Sequence, residues 1–283
     1  MKSEAFLDQV VIITGASAGI GKALALNLAG QGAKVAIAAR RAERLEQVAA
    51  ECRQRGGQTL VIPTDVSDEA QCKTLVEKTI AEFGRLDMLV NNAGLATSAL
   101  FEEFPDLHLF RYTMDVNFLS AVCCTYYALP YLKHTQGRIV VISSMGGKVA
   151  IPYNTPYIAS KYALHGFCDA LRMELSLNGV SVTVVCPMLV VTEFHEMQLN
   201  KDGVPRGERA RVIYTRKTMT ADRCAEITLR AAYKRRRELL MGPGVLATWV
   251  KVIAPGFLDW LVIKTFMEPI IRRAKKAYPG VKM

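Results

Sequence analysis

Short apolar runs alternate along the chain with longer segments whose hydrophobic residues recur at helical spacing. The runs that predict strands are Val10–Thr14, Lys34–Ala39, Gln58–Pro63, Leu86–Val90, Gly137–Ile142 and Val180–Val185, with Glu238–Met241 as a short last one. The segments that predict helices are Ile20–Ala29, Ala42–Arg55, Asp68–Phe83, Asp106–Leu132, Tyr157–Leu177 and Ala221–Arg237. Strands joined through helices of this length pair in parallel by right-handed crossovers.

The near-continuous apolar character of the runs predicts a sheet that is covered on both faces. No linker or internal repeat divides residues 1–243, so we expect one doubly wound α/β domain there. In such a sheet, ligands bind beyond the carboxyl ends of the strands.

Residues 244–283 have a different pattern, which predicts a C-terminal helical extension. Val245–Ile253 and Phe257–Ile271 are apolar and contain both tryptophans, Trp249 and Trp260. The basic residues among or after them are Lys251, Lys264, Arg272, Arg273, Lys275 and Lys276. Aromatic bulk with basic flanks is typical of helices at a membrane surface. The alternative is a helix pair that docks over the ligand crevice or on a partner subunit.

The net charge of +10 lies entirely in the last third of the chain. Residues 201–283 hold 19 Lys and Arg against 7 Asp and Glu, whereas residues 1–200 hold 17 against 19. Such a tail can attract anionic lipid, acidic substrates or nucleic acid, or it can be a solvated surface. Because large aliphatic residues interrupt it and no reading module is present, nucleic acid is not expected as a partner.

The cysteines and histidines favour a reducing compartment and no metal site. The chain has seven cysteines, an odd and scattered set without a Cys-x-x-Cys pair, and four histidines at no metal-ligand spacing. Neither an N-terminal apolar region nor a long uncharged apolar stretch occurs. The expected location is therefore cytoplasmic, with peripheral membrane contact through residues 244–283 left open.

A glycine-rich loop, Thr14–Gly21, follows the first predicted strand and opens the first predicted helix. Glycines let the backbone turn tightly and let a pyrophosphate approach, and the helix N-terminus supplies free N–H groups. The spacing is Gly-x-x-x-Gly-x-Gly, and its position after a strand indicates a dinucleotide site. The candidate binding residues are Gly15, Ser17, Gly19, Ile20 and Gly21.

The second predicted strand ends at Ala39 and is followed by Arg40 and Arg41. A carboxylate at this point would accept hydrogen bonds from the ribose hydroxyls of NAD, and none is present. Two arginines can instead pair with a 2′-phosphate. We therefore expect NADP(H) as the cofactor.

Tyr157 and Lys161 are four residues apart in a predicted helix, so their side chains share a face. A nearby ammonium favours the phenolate and is expected to lower the pKa of Tyr157, which would allow proton exchange. Tyr278 and Lys282 repeat the spacing, but Pro279 between them breaks any helix, so this pair is a decoy.

Further polar residues are expected at the same edge of the sheet. Ser143-Ser144 follows the fifth predicted strand and Asn91-Asn92-Ala93-Gly94 the fourth. Asn117 lies inside a predicted helix, where Asn is a poor helix former, and a water or backbone contact would explain it.

This set of motifs, spread over about residues 8–242, resembles the short-chain dehydrogenase/reductase family. It comprises the glycine-rich loop, Asn91-Asn92-Ala93-Gly94, Asn117, Ser144 thirteen residues before Tyr157, and Lys161. The resemblance implies a single Rossmann-like domain with a Ser144–Tyr157–Lys161–Asn117 tetrad. In that family Ser orients the carbonyl, Tyr transfers the proton, Lys lowers the Tyr pKa and holds the nicotinamide ribose, and Asn anchors a water.

The resemblance also implies further cofactor contacts. Asp65 and Val66 resemble the pair beside adenine, Asn91 the residue beside a ribose, and Thr192 the threonine that binds the carboxamide. The remaining residues assigned in this way are Ala93, Gly94, Pro187 and Val190. The family's usual Pro-Gly is Pro187-Met188 here, which leaves the shape of that loop in question.

Substrate and assembly are less closely constrained. Ser144–Pro152 is similar to the 11-beta-hydroxysteroid dehydrogenase type 1 branch, which favours reduction of an apolar, lipid-like ketone. Reduction of a 3-oxoacyl thioester is a second candidate, and a non-catalytic NADP(H) sensor or membrane-associated module a third. The resemblance implies a homodimer or homotetramer.

Overall fold

The computed structural model describes residues 5–207, 214–215, 218–242 and 244–268. Its strands are β1 (Val10–Thr14), β2 (Lys34–Ala39), β3 (Gln58–Pro63), β4 (Met88–Asn91), β5 (Arg138–Ile142), β6 (Ser181–Cys186), β7 (Val190–Val191), β8 (Met219–Thr220) and β9 (Glu238–Leu240). Its helices are α1 (Gly19–Ala29), α2 (Ala42–Gln54), α3 (Glu69–Phe83), α4 (His108–Met114), α5 (Ser120–Thr135), α6 (Thr155–Glu174), α7 (Ala221–Tyr233), α8 (Val245–Ile253) and α9 (Pro255–Val262).

Within the described residues, seven of the strands form one parallel sheet in the order β3-β2-β1-β4-β5-β6-β9. The strand order reverses between β1 and β4, which opens a crevice at the carboxyl ends of these two strands. The predicted doubly wound Rossmann-like fold is confirmed. β7 and β8 form a separate two-stranded pair that the sequence did not predict.

The sheet is buried on both faces because its central strands carry apolar residues at nearly every position. Two hydrophobic clusters lie against it, one with α1, α2 and α7 and the other with α3, α5 and α6. Every residue of β1 is buried, and alternate residues enter opposite clusters. The strands therefore form a rigid platform that ends at the crevice.

Strand bounds match the predicted ones to within two residues, whereas several helices differ more. The predicted helix Asp106–Leu132 is divided into α4, a π-helical turn over Asp115–Leu119, and α5, which ends at Thr135. The last helix of the sheet region ends at Tyr233, not at Arg237, and Arg235 adopts a left-handed backbone conformation with φ of 49°. That residue stops the helix so that β9 can enter the sheet.

The described part of the C-terminal extension, residues 244–268, contains α8, α9 and a π-helical turn over Ile263–Met267. Helix α8 has the predicted bounds. Among the described residues, no helix combines the length and the apolar character needed to cross a bilayer. The decoy pair Tyr278 and Lys282, and the basic residues from Arg272 onward, lie outside the described residues.

Candidate active site

A cleft of about 1110 Å³ runs along the carboxyl ends of the parallel strands. Most residues that the sequence analysis assigned to a site line it, namely Gly15, Ser17, Gly19, Ile20, Arg40, Arg41, Asp65, Val66, Ala93, Gly94, Ser144, Tyr157, Lys161, Pro187, Val190 and Thr192. The far part is walled by apolar residues of the extension. Cofactor-type and substrate-type surfaces therefore share one continuous cavity.

Two glycines of the glycine-rich loop have no room for a side chain, because the loop packs closely against its neighbours. A Cβ on Gly15 would lie 2.9 Å from Ala93 Cα, and a Cβ on Gly21 would lie 2.4 Å from the carbonyl oxygen of Gly15. Gly15 also has φ of +65°, a conformation that favours glycine. Ala18 precedes α1 without a side-chain cap, so the first N–H groups of the helix remain open to the cleft.

Gly21 and Asn91 do not line the cleft, which changes the interpretation of both. Gly21 lets α1 pack against the loop. The Asn91 side chain is buried beneath the sheet edge, where its amide nitrogen lies 3.1 Å from Thr125 Oγ1. The Asn91 side chain therefore faces the protein interior, and a contact of this residue with the cofactor stays a prediction. Asn92 lines the cleft in its place and donates to the carbonyl oxygens of Thr14 and Gly15.

Arg40 and Arg41 lie exposed at the end of β2, on the cleft wall. Arg40 donates to Tyr112 Oη at 2.9 Å and Arg41 to Ser17 Oγ at 3.3 Å. Within the described residues neither guanidinium pairs with a carboxylate. Both positive charges are therefore available to an anionic group held beside Ser17.

Tyr157 and Lys161 lie in the first two turns of α6, and Ser144 faces them from the end of β5. The Ser144 side chain accepts a hydrogen bond from the Gly146 backbone at 3.0 Å and is also hydrogen-bonded to the Tyr157 phenol. Lys161 Nζ lies 5.6 Å from the centre of the Tyr157 ring and donates to the carbonyl oxygen of Ile142 at 3.1 Å. Ser144, Tyr157 and Lys161 thus line the same cleft, with the ammonium near the Tyr157 ring.

Asn117 occupies the π-helical turn and does not line the cleft. Its amide oxygen accepts from the backbone N–H of Leu95 at 2.8 Å, and its amide nitrogen donates to the Leu95 carbonyl and to Ser160 Oγ, both at 2.9 Å. This is the backbone contact that its position in a helix required. Asn117 therefore fixes the strand-end loop Ala93–Leu95 to α6 beside Lys161.

The geometry agrees with comparisons to known proteins. The family model described as short chain dehydrogenase matches residues 9–202. This chain belongs to that family. Its glycine-rich loop and its Tyr157–Lys161 pair line one cleft at the edge of the parallel sheet.

Curated relatives carry hydroxysteroid dehydrogenase names. The Arabidopsis thaliana protein 11-beta-hydroxysteroid dehydrogenase-like 3 is 44% identical over 186 residues, which are 65% of this chain and 60% of that relative. The match thus spans less than two thirds of that relative's length. The Sesamum indicum 11-beta-hydroxysteroid dehydrogenase A is 35% identical over 264 residues, 92% of this chain and 76% of the relative.

Of two solved structures with a similar fold, one is a complex with 5-hydroxy-NADP and the other a complex with NAD. An alcohol dehydrogenase from Thermococcus sibiricus, complexed with 5-hydroxy-NADP, matches with a TM-score of 0.72 and 29% identity, covering 82% of this chain and 95% of that one. A short chain dehydrogenase/reductase from Burkholderia phymatum, in complex with NAD, matches with a TM-score of 0.76 and 26% identity, covering 86% and 92%. The family thus does not decide the cofactor.

The pKa values of Tyr157 and Lys161 both depart from their ordinary values. Burial raises the pKa of Tyr157 to about 12, although its hydrogen bond with Ser144 opposes the shift. Burial also lowers the pKa of Lys161 to about 8. Desolvation has the largest effect on the Tyr157 pKa, and Lys161 is not among the groups that shift it. At neutral pH Tyr157 therefore holds its proton. That Lys161 lowers this pKa during the reaction stays a prediction.

Among the described residues, one group of side chains could in principle hold a metal ion. His165, Cys186 and Glu238 place a ligand atom each within 4.8 Å of one another. However, the two ring nitrogens of His165 face different partners, with Nε2 3.6 Å from Cys186 Sγ and Nδ1 3.6 Å from Glu238 Oε1. Lys148 Nζ lies 2.6 Å from the same Glu238 oxygen. The negative charge of Glu238, which a metal ion would neutralise, is thus already paired with Lys148.

Several residues of the cleft wall were not assigned individually as site residues from the sequence. Met188, which replaces the family's usual glycine after Pro187, lines the cleft. A Cβ added at Gly242 would lie 3.0 Å from Met188 Cβ, so position 242 favours glycine. Phe194 and His195 follow Thr192 into the cavity, and Leu258 and Phe266 reach it from the extension. Position after a strand end could have indicated Phe194 and His195, whereas the extension residues depend on tertiary contact.

Proposed function

We propose that this dehydrogenase reduces an apolar ketone to a secondary alcohol with NADPH. The observation that carries the proposal is that Ser144, Tyr157 and Lys161 line one cleft, and that this cleft is also lined by many apolar residues. The chemistry supplied by the reduced nicotinamide is hydride donation to the carbonyl carbon.

Tyr157 is the proposed proton donor, and its pKa of about 12 favours this direction. A neutral phenol can give its proton to a carbonyl oxygen as charge develops there. Ser144 donates a second hydrogen bond to the same oxygen, which stabilises that charge. Lys161 offers its ammonium to the phenolate that remains.

NADP(H) is the proposed cofactor because both exposed arginines at the end of β2 lack an acidic partner among the described residues. A guanidinium pairs well with a phosphate through charge-assisted hydrogen bonds. The other proposed contacts are those of the glycine-rich loop, of Asp65 and Val66, and of Pro187, Val190 and Thr192. Asn117 is a proposed positioning residue for the Lys161 side of the site.

The apolar character of the substrate is supported by the wall of the distal chamber. Val149, Ile151, Leu199, Leu258 and Phe266 line it. Burying the hydrocarbon part of a ligand against such a wall is favourable, whereas a charged ligand would lose its hydration without compensation.

A turnover screen tests this proposal. Steroid ketones, acyl thioesters and small ketones are each offered with NADPH and with NADH, and loss of reduced cofactor is followed. We expect oxidation of NADPH with an apolar ketone. Failure of every carbonyl class with both cofactors would overturn the proposal.

We also propose that α8 rests on an anionic membrane surface. Leu246, Trp249, Val252 and Ile253 lie on one face of α8 and are between 65% and 80% exposed. Lys264 lies over the Trp260 ring, 4.8 Å from its centre, so basic and aromatic groups are adjacent. Such a surface gains from burial in the headgroup region and from attraction to anionic lipid.

A further inference from the structure

A row of aromatic rings leads from Tyr157 into the distal chamber. The Phe194 ring centre is 6.0 Å from that of Tyr157, and the His195 ring meets Phe194 edge-on at 5.9 Å. Tyr214 lies on the other side of His195, at 6.5 Å between ring centres. His195 therefore lines the cavity one ring beyond the residue that lies against Tyr157.

The contact with Gln198 favours a neutral His195 ring with its proton on Nε2. The Gln198 side-chain amide nitrogen lies 3.3 Å from His195 Nδ1. An amide N–H can only donate, so Nδ1 accepts and the proton of the neutral ring is on Nε2. Burial lowers the pKa of His195, which keeps the ring neutral at physiological pH. No described residue accepts a hydrogen bond from Nε2.

The segment that carries His195 is held in place from several sides. Its Phe194 N–H donates to Thr192 Oγ1, and Arg206 donates to Ser98 Oγ at 2.7 Å. The backbone of Leu199 forms an isolated β-bridge with that of Thr97, which closely follows the Ala93–Leu95 loop. The Nε2–H donor is therefore pre-organised, which reduces the entropy that a ligand must lose to engage it.

The surroundings of His195 make an unpaired donor selective. Phe194 contacts it, and Leu199, Leu258 and Phe266 line the same cavity. A polar group in such surroundings favours a ligand that offers a partner and disfavours one that does not.

We infer that His195 is a specificity residue, which donates from Nε2 to a second oxygen of the substrate, remote from the reacting carbonyl. This rests on the proposed ketone reduction. It narrows the substrate class to apolar ketones that also carry a hydroxyl, ether or carbonyl oxygen. Gln198 is the positioning residue that holds the required tautomer.

Matched ketone pairs test the inference. One pair is a rigid polycyclic monoketone and its analogue with a hydroxyl at the opposite end of the ring system. The other is a long-chain methyl ketone and its terminal hydroxy analogue. kcat and KM are measured with NADPH for the wild type, His195→Phe and His195→Gln. Glutamine is the rescue variant because its amide nitrogen can donate from nearly the position of Nε2.

We expect the wild type to prefer the oxygenated member of at least one pair by about five-fold in kcat/KM, the factor that one neutral hydrogen bond contributes. His195→Phe should lose this preference while still reducing the plain ketone, and His195→Gln should keep it. An equal preference in the wild type and His195→Phe, or no preference in the wild type, would overturn the inference. A wild type that reduces none of the four ketones, and no other carbonyl, would overturn the proposed function itself.

Discussion

Tyr157 and Lys161 show how one environment acts in opposite directions on an acid and a base. Removal from water disfavours whichever form is charged, so the phenol holds its proton more strongly and the ammonium holds its proton less strongly. The pair is therefore set for proton donation at neutral pH, when Tyr157 is neutral and Lys161 is mostly charged.

The first prediction concerns the pH dependence of ketone reduction. Lys161, with a pKa of about 8, loses its charge as the pH rises past that value, whereas Tyr157, at about 12, stays protonated. We expect kcat/KM to fall above about pH 8, by roughly ten-fold per pH unit, because only the charged Lys161 supports the phenolate. The pH profile at saturating NADPH measures this. A profile that stays level to about pH 10 would contradict it.

The second prediction concerns Arg40 and Arg41. In the double variant Arg40→Ala/Arg41→Ala, the Kd for NADPH should rise by about 10- to 100-fold, the loss expected for a charge-assisted hydrogen bond, with little change for NADH. The control is Arg53→Ala/Arg55→Ala, which removes two exposed arginines at the other end of α2. Equal weakening of NADPH and NADH in the first variant would refute the role of the arginines.

At the scale of elements, the strands could be predicted from the sequence because each is a short apolar run that both faces of the sheet bury. The break in the helix at Asn117 could not, because its partner is the Leu95 backbone, 22 residues away. The glycine-rich loop was recognisable from local spacing, whereas the inward turn of Asn91 depends on packing against α5. The sequence did not single out His195, because its proposed role depends on the contact with Gln198 and on the neighbouring rings of Phe194 and Tyr214.

The third prediction concerns the attachment of α8 to α6, the helix that carries Tyr157 and Lys161. Lys251 Nζ lies 3.0 Å from the Lys148 carbonyl oxygen, contacts Tyr162 Oη and lies 4.3 Å from the centre of the Tyr162 ring. Lys251→Met keeps most of the side-chain volume but loses these contacts. We expect a rise of about three- to ten-fold in the KM for an apolar ketone, with unchanged NADPH affinity, because a wall of the chamber loosens.

Lys264→Met is the matched control for that experiment. Lys264 belongs to the same extension, but its ammonium lies over the exposed Trp260 ring. If Lys264→Met and Lys251→Met change KM equally, attachment through Tyr162 is not the cause.

At the scale of the whole molecule, the extension has two faces with different surroundings. Leu258 is buried towards the cleft, whereas Trp249 and Ile253 on α8 are 65% and 80% exposed. An exposed apolar patch of this kind on the segment that also lines the chamber is unusual for a surface that contacts only water. The same segment can therefore enclose the substrate and meet the lipid that dissolves it.

The fourth prediction tests this membrane contact. The variant Trp249→Ser/Ile253→Ser should lose most of its retention on phosphatidylserine-containing vesicles in a flotation assay. Met173→Ser/Leu177→Ser removes two apolar side chains that are at least as exposed, from the end of α6 and just beyond it, and should be retained like the wild type. Equal retention of the wild type and the α8 variant would defeat the proposal. If the α8 variant instead changes the oligomeric state, the patch is a subunit interface.

The central claim is that Tyr157 donates the proton during ketone reduction. Its most direct test is a single-turnover measurement on Tyr157→Phe, with NADPH binding followed separately by fluorescence. Phenylalanine keeps the ring against Phe194 and removes only the hydroxyl. The account predicts NADPH binding within about two-fold of the wild type and a loss of at least about 100-fold in the rate of NADPH oxidation. Turnover at the wild-type rate in this variant would contradict it.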